Sequence, residues 1–301
     1  MTEGMSMKFG INISSVFPKA KNLPLSLFVD TATLSEELGY DGFFIPDHYN
    51  LPRTSECTEP YTTLAYIAAK TNRIKLGTTV SPLPRYYPPQ LAKVIAHVDH
   101  LSNGRVIAGL GAGWHPSEFQ TYAPQGWETP EVRVARTIEG VRLMIKLWTQ
   151  DKVAFKGKYY SVKDAVLEPK PIQKPHPPIW SGGAGDCMLR MTAKLFNGWI
   201  PTTWEWINAG DKDASNYQKQ VIKIRRYLKK YGREEGKFTF GAMGGITDTA
   251  EMIEKYCNVG CNYYIAFIGD YTPGQGYPFV FHTPEYLNMV KKFSREIIHS
   301  F

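Results

Sequence analysis

Short runs of apolar, β-branched and aromatic residues recur along the whole chain and alternate with segments whose apolar positions fall three and four residues apart. The runs predict strands and the spaced segments amphipathic helices, and their regular alternation predicts βα units around a parallel sheet. Eight strands are expected, over 8–14, 42–47, 74–81, 105–113, 178–183, 198–203, 238–244 and 263–269. Most are almost continuously apolar, such as Val-Ile-Ala-Gly-Leu in the fourth and Tyr-Tyr-Ile-Ala-Phe-Ile in the eighth. That is the pattern of parallel strands covered on both faces. Helices are expected over 24–39, 88–102, 130–149, 214–231 and 284–300. The first places Leu27, Phe28, Thr31, Leu34 and Leu38 on one side and stops at Gly39, a common residue just past a helix end. Eight strands with a helix between or after each close most simply as a (β/α)8 barrel, and an open doubly wound sheet is the alternative.

One stretch breaks the rhythm. Residues 151–176 are rich in Lys and Pro and contain the strand-like Lys158-Tyr-Tyr-Ser-Val-Lys. An excursion of that length after the fourth helix predicts a lid or hairpin over the barrel mouth, with residues 1–301 forming one domain. Tyr66, Trp148 and most other aromatics are expected in the core.

Composition narrows the classes. The chain has 301 residues, 43% of them hydrophobic, enough for one large core. No run of about 18 apolar residues occurs and the first residues lack an apolar secretion segment, so a cytoplasmic protein without a membrane span is expected. Four cysteines in a chain this long predict reduced thiols. The formal net charge of +7 raises the question of nucleic acid. Its densest stretch, 219–230, interleaves Val221, Ile222, Ile224 and Leu228 with the charges, which predicts the solvated face of a helix and no nucleic-acid partner. A small anionic molecule suits such a protein equally well.

Functional groups in such barrels come from the C-terminal strand ends and the loops after them. The second strand ends in Asp47-His48-Tyr49-Asn50, the third in Thr78-Thr79-Val80-Ser81, the fourth in Gly111-Ala112-Gly113-Trp114-His115 and the fifth in Ser181-Gly182-Gly183-Ala184-Gly185. The last runs into a helical segment near Asp186, where glycine amides and a helix N-terminus suit a phosphate, although a plain glycine turn has the same sequence. Its place after the fifth strand departs from the more usual seventh and eighth. Asp47-His48 offers an acid/base pair at neutral pH, or simply a turn cap and a polar rim residue. Trp114 offers a wall for a ring. His97 and His100 lack a third ligand and Cys257 and Cys261 lack companions at zinc spacing, so no metal is expected. No Gly-Xaa-Ser-Xaa-Gly elbow or Walker loop occurs, and Gly109-Leu-Gly-Ala-Gly-Trp lacks the third glycine of a Rossmann fingerprint.

The series Leu38-Gly-Tyr-Asp-Gly-Phe-Phe-Ile-Pro-Asp-His, Glu59-Pro-Tyr-Thr-Thr-Leu-Ala, Arg73-Ile-Lys-Leu-Gly-Thr, Asp99-His-Leu-Ser-Asn-Gly-Arg, Gly109-Leu-Gly-Ala-Gly-Trp-His-Pro-Ser-Glu-Phe, Pro178-Ile-Trp-Ser-Gly-Gly and Asn197-Gly-Trp resembles the luciferase-like monooxygenase superfamily over about residues 8–270. The resemblance implies a barrel with coenzyme F420, or alternatively FMN, across its mouth. It places the cofactor phosphate on Gly182 and Gly183 and a non-prolyl cis peptide at Thr79-Val80. The cofactor-binding set it implies is Thr79, Val80, Gly111, Ala112, Gly113, Trp114, Ser181, Gly182, Gly183 and Ala184, with His48, poised by Asp47, as the catalytic acid/base.

Asp47-His48 matches the deazaflavin branch. Against the glucose-6-phosphate dehydrogenases of that branch, Trp114 stands where an acidic residue is expected and Pro52 where a tryptophan is expected, which argues against a sugar-phosphate substrate. Asp-His-Tyr-Asn is similar to methylenetetrahydromethanopterin reductases, but the Trp-His-Pro-Ser-Glu-Phe stretch is not. The implied activity is hydride transfer between F420 and a small organic substrate. The alternatives are an FMN-dependent monooxygenase fed by a flavin reductase and a cofactor-binding protein without catalysis. A homodimer is implied by the resemblance alone.

Overall fold

The structure is a computed structural model that describes residues 7–13, 16–17, 25–49, 56–203, 213–268 and 283–301. Ser14, Pro24, Asn50, Pro52 and Gly269 lie outside the described residues.

Eight parallel strands carry the fold: β1 (Lys8–Ile13), β2 (Gly42–Ile45), β3 (Lys75–Thr78), β4 (Val106–Gly111), β5 (Ile179–Ser181), β6 (Gly198–Trp199), β7 (Thr239–Gly245) and β8 (Tyr263–Ile268). Each pairs with its neighbours in sequence, and β8 pairs with β1. The decisive contact is β4 with β5, in the register Ile179 to Ala108, Trp180 to Gly109 and Ser181 to Leu110. With that pairing the sheet has no free edge, so the barrel is closed and the open doubly wound alternative is excluded. The helices that follow are α1 (Ser26–Glu37), α2 (Pro60–Ala68), α3 (Pro88–Leu101), α4 (Pro116–Tyr122), α5 (Pro130–Thr149), α6 (Asp186–Leu195), α7 (Ser215–Lys230), α8 (Ala250–Asn258) and α9 (Thr283–Glu296). Gly39 lies just past α1 with φ of 85°, as its position in the sequence predicts.

Two layers of apolar side chains hold these elements. The larger lies between strands and helices and includes Trp148, whose Nε1 donates to the Ala92 carbonyl at 2.9 Å. The smaller fills the barrel: Phe44, Ile107, Trp180, Ile200, Met243, Tyr263, Ile265 and Phe267. Phe44 stacks on Trp180 with ring centres 5.7 Å apart, and Trp180 meets Tyr263 edge-on at 5.0 Å. Such rings fit because neighbouring strands supply no side chain there; a Cβ on Gly10 would lie 2.8 Å from the Phe44 ring.

Tyr66 departs from expectation, being 58% exposed. α2 turns Tyr61, Leu64, Ile67 and Ala68 inward instead, and at helical spacing that leaves Tyr66 on the outer side. Likewise α7 buries Tyr217, Val221, Ile224 and Leu228, while Ile222 stays among the exposed charges. Residues 151–176 do contain a hairpin, Val153–Lys156 against Ser161–Ala165. It is not a lid. The Glu139 carboxylate of α5 accepts the amides of Lys158, Tyr159 and Tyr160, and farther on Gln173 binds Asp99 of α3 through both amide groups. The segment therefore runs along the outer helices to the start of β5.

α8 is tied down locally, since the Thr249 hydroxyl accepts the Met252 amide at 3.3 Å. Thr249→Ala is expected to cost about 1 kcal/mol, the usual loss of an N-cap, as read by urea unfolding.

Candidate active site

The second to sixth strands end earlier than the apolar runs predict. Asp47, Thr79, Val80, Ala112, Gly113, Gly182 and Gly183 all follow the last paired residue of their strand. There the backbone leaves the ladder, and these residues surround a cavity of about 370 Å³ at the C-terminal mouth. It is lined by Asp47, His48, Thr79, Val80, Gly111, Ala112, Gly113, Trp114, Gly182 and Gly183 from the expected set, joined by Pro82, Glu118, Phe119, Ile200, Thr202 and Met243. Ser181 is buried beneath it, its hydroxyl 3.4 Å from the Gly183 amide, while Ala184 is exposed and outside the lining. Trp114 is 59% exposed, with its ring edge-on to His48 at 5.7 Å.

The expected pairing of Asp47 with His48 is replaced by two linked pairs. Asp47, fully buried, accepts from Arg85 Nη2 and, at 2.7 Å, from the Tyr86 hydroxyl. His48 Nδ1 instead faces Glu118 Oε2 at 3.0 Å. Arg85 joins the pairs, with Nη1 3.4 Å from Glu118 Oε1 and its guanidinium 4.1 Å from the centre of the Tyr49 ring. Glu118 Oε1 also accepts the Tyr49 amide at 2.5 Å, which ties the turn after His48 to α4. An ionised carboxylate only accepts, so Nδ1 carries the proton in this pair and Nε2 is left to exchange one.

The electrostatics follow from burial. Removal from water pushes the Asp47 carboxyl above its ordinary value, opposed chiefly by Arg85 and then by the hydroxyls of Ser81 and Tyr86. Burial also pushes Glu118 upward, but the hydrogen bond and charge of His48, then Arg85 and the Tyr49 amide, outweigh it and hold Glu118 below the ordinary 4.5. A carboxylate depressed in the folded state stabilises the fold above its unfolded value and loses that contribution as pH falls through the folded one. The stability difference between the protein and Glu118→Gln is therefore expected to shrink as pH is lowered from about 5 to 3, measured by urea unfolding at each pH. His115, beside Trp114, is pushed down by burial and by His48, with Glu118 pulling the other way.

Deeper in the barrel, the buried Asn12 at the end of β1 donates to Thr79 Oγ1 and approaches Met243 Sδ at 3.2 Å, leaving its own oxygen without a partner. The Thr79–Val80 peptide is cis, as the resemblance implied. The Val80 side chain packs on the inner cluster, and a Cβ on Gly182 would lie 3.4 Å from its methyls, within the space between β4 and β5. Asp186 occupies the first turn of α6, exposed and paired with Lys223 at 2.7 Å.

Arg85, Tyr86, Glu118 and Asn12 were not singled out from the sequence. Glu118 alone had a usable signal, a carboxylate in the first turn of the helix after the fourth-strand glycines. Away from the cavity, His97 is exposed and His100 Nε2 meets the Lys170 carbonyl at 2.7 Å. Cys187, Cys257 and Cys261 are free thiols, with Cys257 pushed up to about 11 and Cys261 to about 12 by burial. Among the described residues no group of three His, Cys, Asp or Glu side chains is placed to hold a metal ion, and no helix is long and apolar enough to cross a membrane.

The barrel is closed and parallel, and Asp47, His48 and Glu118 meet at its C-terminal mouth, where barrels of this class carry their function. The chain belongs to the luciferase-like monooxygenase family, whose model matches residues 7–275. It is 31% identical over 242 residues to the F420-dependent glucose-6-phosphate dehydrogenase of Kineococcus radiotolerans, covering 78% of this chain and 66% of that protein. A second such dehydrogenase, from Amycolatopsis mediterranei, is 36% identical over 181 residues, or 58% of this chain and 53% of that one. The chain thus spans about half to two thirds of the length of these curated relatives. Among solved structures, a monooxygenase from Streptomyces bottropensis superposes with a TM-score of 0.81 at 19% identity over 98% of this chain and 99% of that one. An F420-dependent secondary alcohol dehydrogenase bound to an F420-acetone adduct superposes with 0.78 at 17% identity, again over 98% and 99%. At those identities the structural matches speak for the fold.

Proposed function

We propose that the chain is an oxidoreductase that transfers hydride between coenzyme F420 and an uncharged organic substrate at the C-terminal mouth. The observation that carries this reading is His48, held by Glu118 at the edge of a glycine-walled cavity with its Nε2 left to exchange a proton. The cavity fits a planar group in two respects: Gly111, Gly113, Gly182 and Gly183 present backbone to it, and Val80 stands as a low apolar ridge between them. The Gly182 and Gly183 amides would hold the cofactor's phosphate, and Val80 would support its ring. The deazaflavin, when bound, supplies the hydride chemistry. The chain supplies position and a proton carrier: Glu118 fixes the His48 tautomer, Arg85 and Asp47 hold Glu118 in place, and Trp114 covers His48.

The substrate class follows from charge. Among the described lining residues there is no Lys or Arg, and the ionisable groups are Asp47, His48 and Glu118. A phosphorylated substrate would meet two carboxylates already paired with Arg85 and His48, with no Lys or Arg among the described lining residues left to face it, so a sugar phosphate is disfavoured even though relatives are named for one. Trp114 and Phe119 suit an apolar body.

The test is anaerobic incubation with F420 and a panel of simple secondary alcohols, following bleaching of the deazaflavin. Reduction without O₂ supports the proposal. Oxidation that requires reduced FMN and O₂ would replace it with the monooxygenase reading. Tight binding with no ring reduction by any donor would replace it with a non-catalytic one.

A further inference from the structure

The opposite, N-terminal mouth of the barrel also opens into a cavity, of about 590 Å³, larger than the one that holds His48. Its floor is the underside of the inner cluster, Ile107, Trp180 and Tyr263, each nearly inaccessible to solvent. Its wall carries Lys8 at the start of β1 and Lys75 at the start of β3, either side of Asp41. Among the described residues neither ammonium forms an ion pair. Asp41 is committed elsewhere, its Oδ2 accepting the Phe9 amide at 2.8 Å, and Lys75 Nζ has a carbonyl partner, Gly104, at 3.2 Å. The Tyr263 hydroxyl, at the floor beside Gly42, has no hydrogen-bond partner.

We propose that this mouth is a second ligand site, taking a small organic anion with an apolar ring: the ring against Trp180 and Ile107, the anionic group between Lys8 and Lys75. An apolar pocket of several hundred Å³ with a few convergent polar groups is the usual form of a small-molecule site. Two neighbouring ammoniums, neither within ion-pair distance of a carboxylate, set the sign of the ligand on their side of a mouth that Glu36 and Glu37 also line. Burial presses on the Lys75 ammonium; Asp99 relieves it in part, and the positive charges of Lys8 and Arg105 add to the load. Trp180 immediately precedes Ser181 and Gly182, so a ligand on its underside touches the strand that serves the other mouth.

The test is isothermal titration of the full chain with benzoate and, separately, with inorganic phosphate. Saturable benzoate binding that weakens at least tenfold in Lys75→Met and in Lys8→Met, returns in Lys75→Arg and is unchanged in Gly182→Asp is the expected result. Phosphate, lacking the ring, should bind more weakly. Tyr263→Phe keeps the packing and serves as a folded control for the floor. Benzoate binding indifferent to both lysines, binding abolished by Gly182→Asp, or no saturable binding would each overturn the proposal.

Discussion

Asp47→Ala is expected to lower folding stability by about 3–5 kcal/mol, the range for leaving one member of a buried ion pair uncompensated. The reason is Arg85, whose side chain is wholly buried and whose close carboxylate is Asp47. Glu118 lies at 3.4 Å from the other guanidinium nitrogen and compensates only in part, which places the loss toward the lower end of that range. The Tyr86 hydroxyl also loses its acceptor. Adding Arg85→Met should recover much of the loss, because the orphaned charge then goes too, so the two substitutions will be strongly non-additive. Urea unfolding of the single and double variants measures this. A loss under about 1 kcal/mol for Asp47→Ala would mean that Arg85 finds another partner or reaches water.

His48→Ala is expected to lower turnover by about 10²–10⁴, the usual contribution of a positioned acid/base group, with cofactor affinity changed little. Glu118→Gln should fall between the two proteins. It keeps the shape beside Nδ1 and Tyr49 but removes the charge that fixes the proton on Nδ1. It should therefore reshape the pH profile of kcat as well as its height. An unchanged rate in His48→Ala, with the cofactor bound, would remove the proton-carrying role from this residue.

The barrel was legible because its strands are covered on both faces, so each leaves an unbroken apolar run, and because eight such runs alternate with helical spacing. The strand ends were legible for the same reason: Asp47-His48, Thr79-Val80 and Gly182-Gly183 are where polar or glycine residues interrupt those runs. What the sequence did not yield is partnership. Asp47 and His48 are neighbours in the chain, yet their side chains take different partners, Arg85 from the turn after β3 and Glu118 from α4. These contacts span 38 and 70 residues, and no local periodicity encodes them. Trp114 was recognisable from its place after three glycines. Tyr66 was misplaced because an apolar ring in an amphipathic helix does not itself say which side faces the barrel. The 151–176 excursion was recognisable as a hairpin, but its seat on α3 and α5 is set by Glu139 and Asp99, two carboxylates that accept its amides.

The central claim, that the C-terminal mouth holds a deazaflavin on the Gly182-Gly183 turn, is tested most directly by titrating the protein with F420 and with FMN and following fluorescence. The variant Gly182→Asp introduces a carboxylate where the phosphate would lie, its Cβ in ordinary contact, at 3.4 Å from the Val80 methyls and 3.8 Å from the Ile200 carbonyl oxygen, so no clash forces the fold to move. Tighter binding of F420 than of FMN, lost in Gly182→Asp while the fold is retained, is the predicted result. Preference for FMN, or F420 binding that survives that substitution, would contradict it.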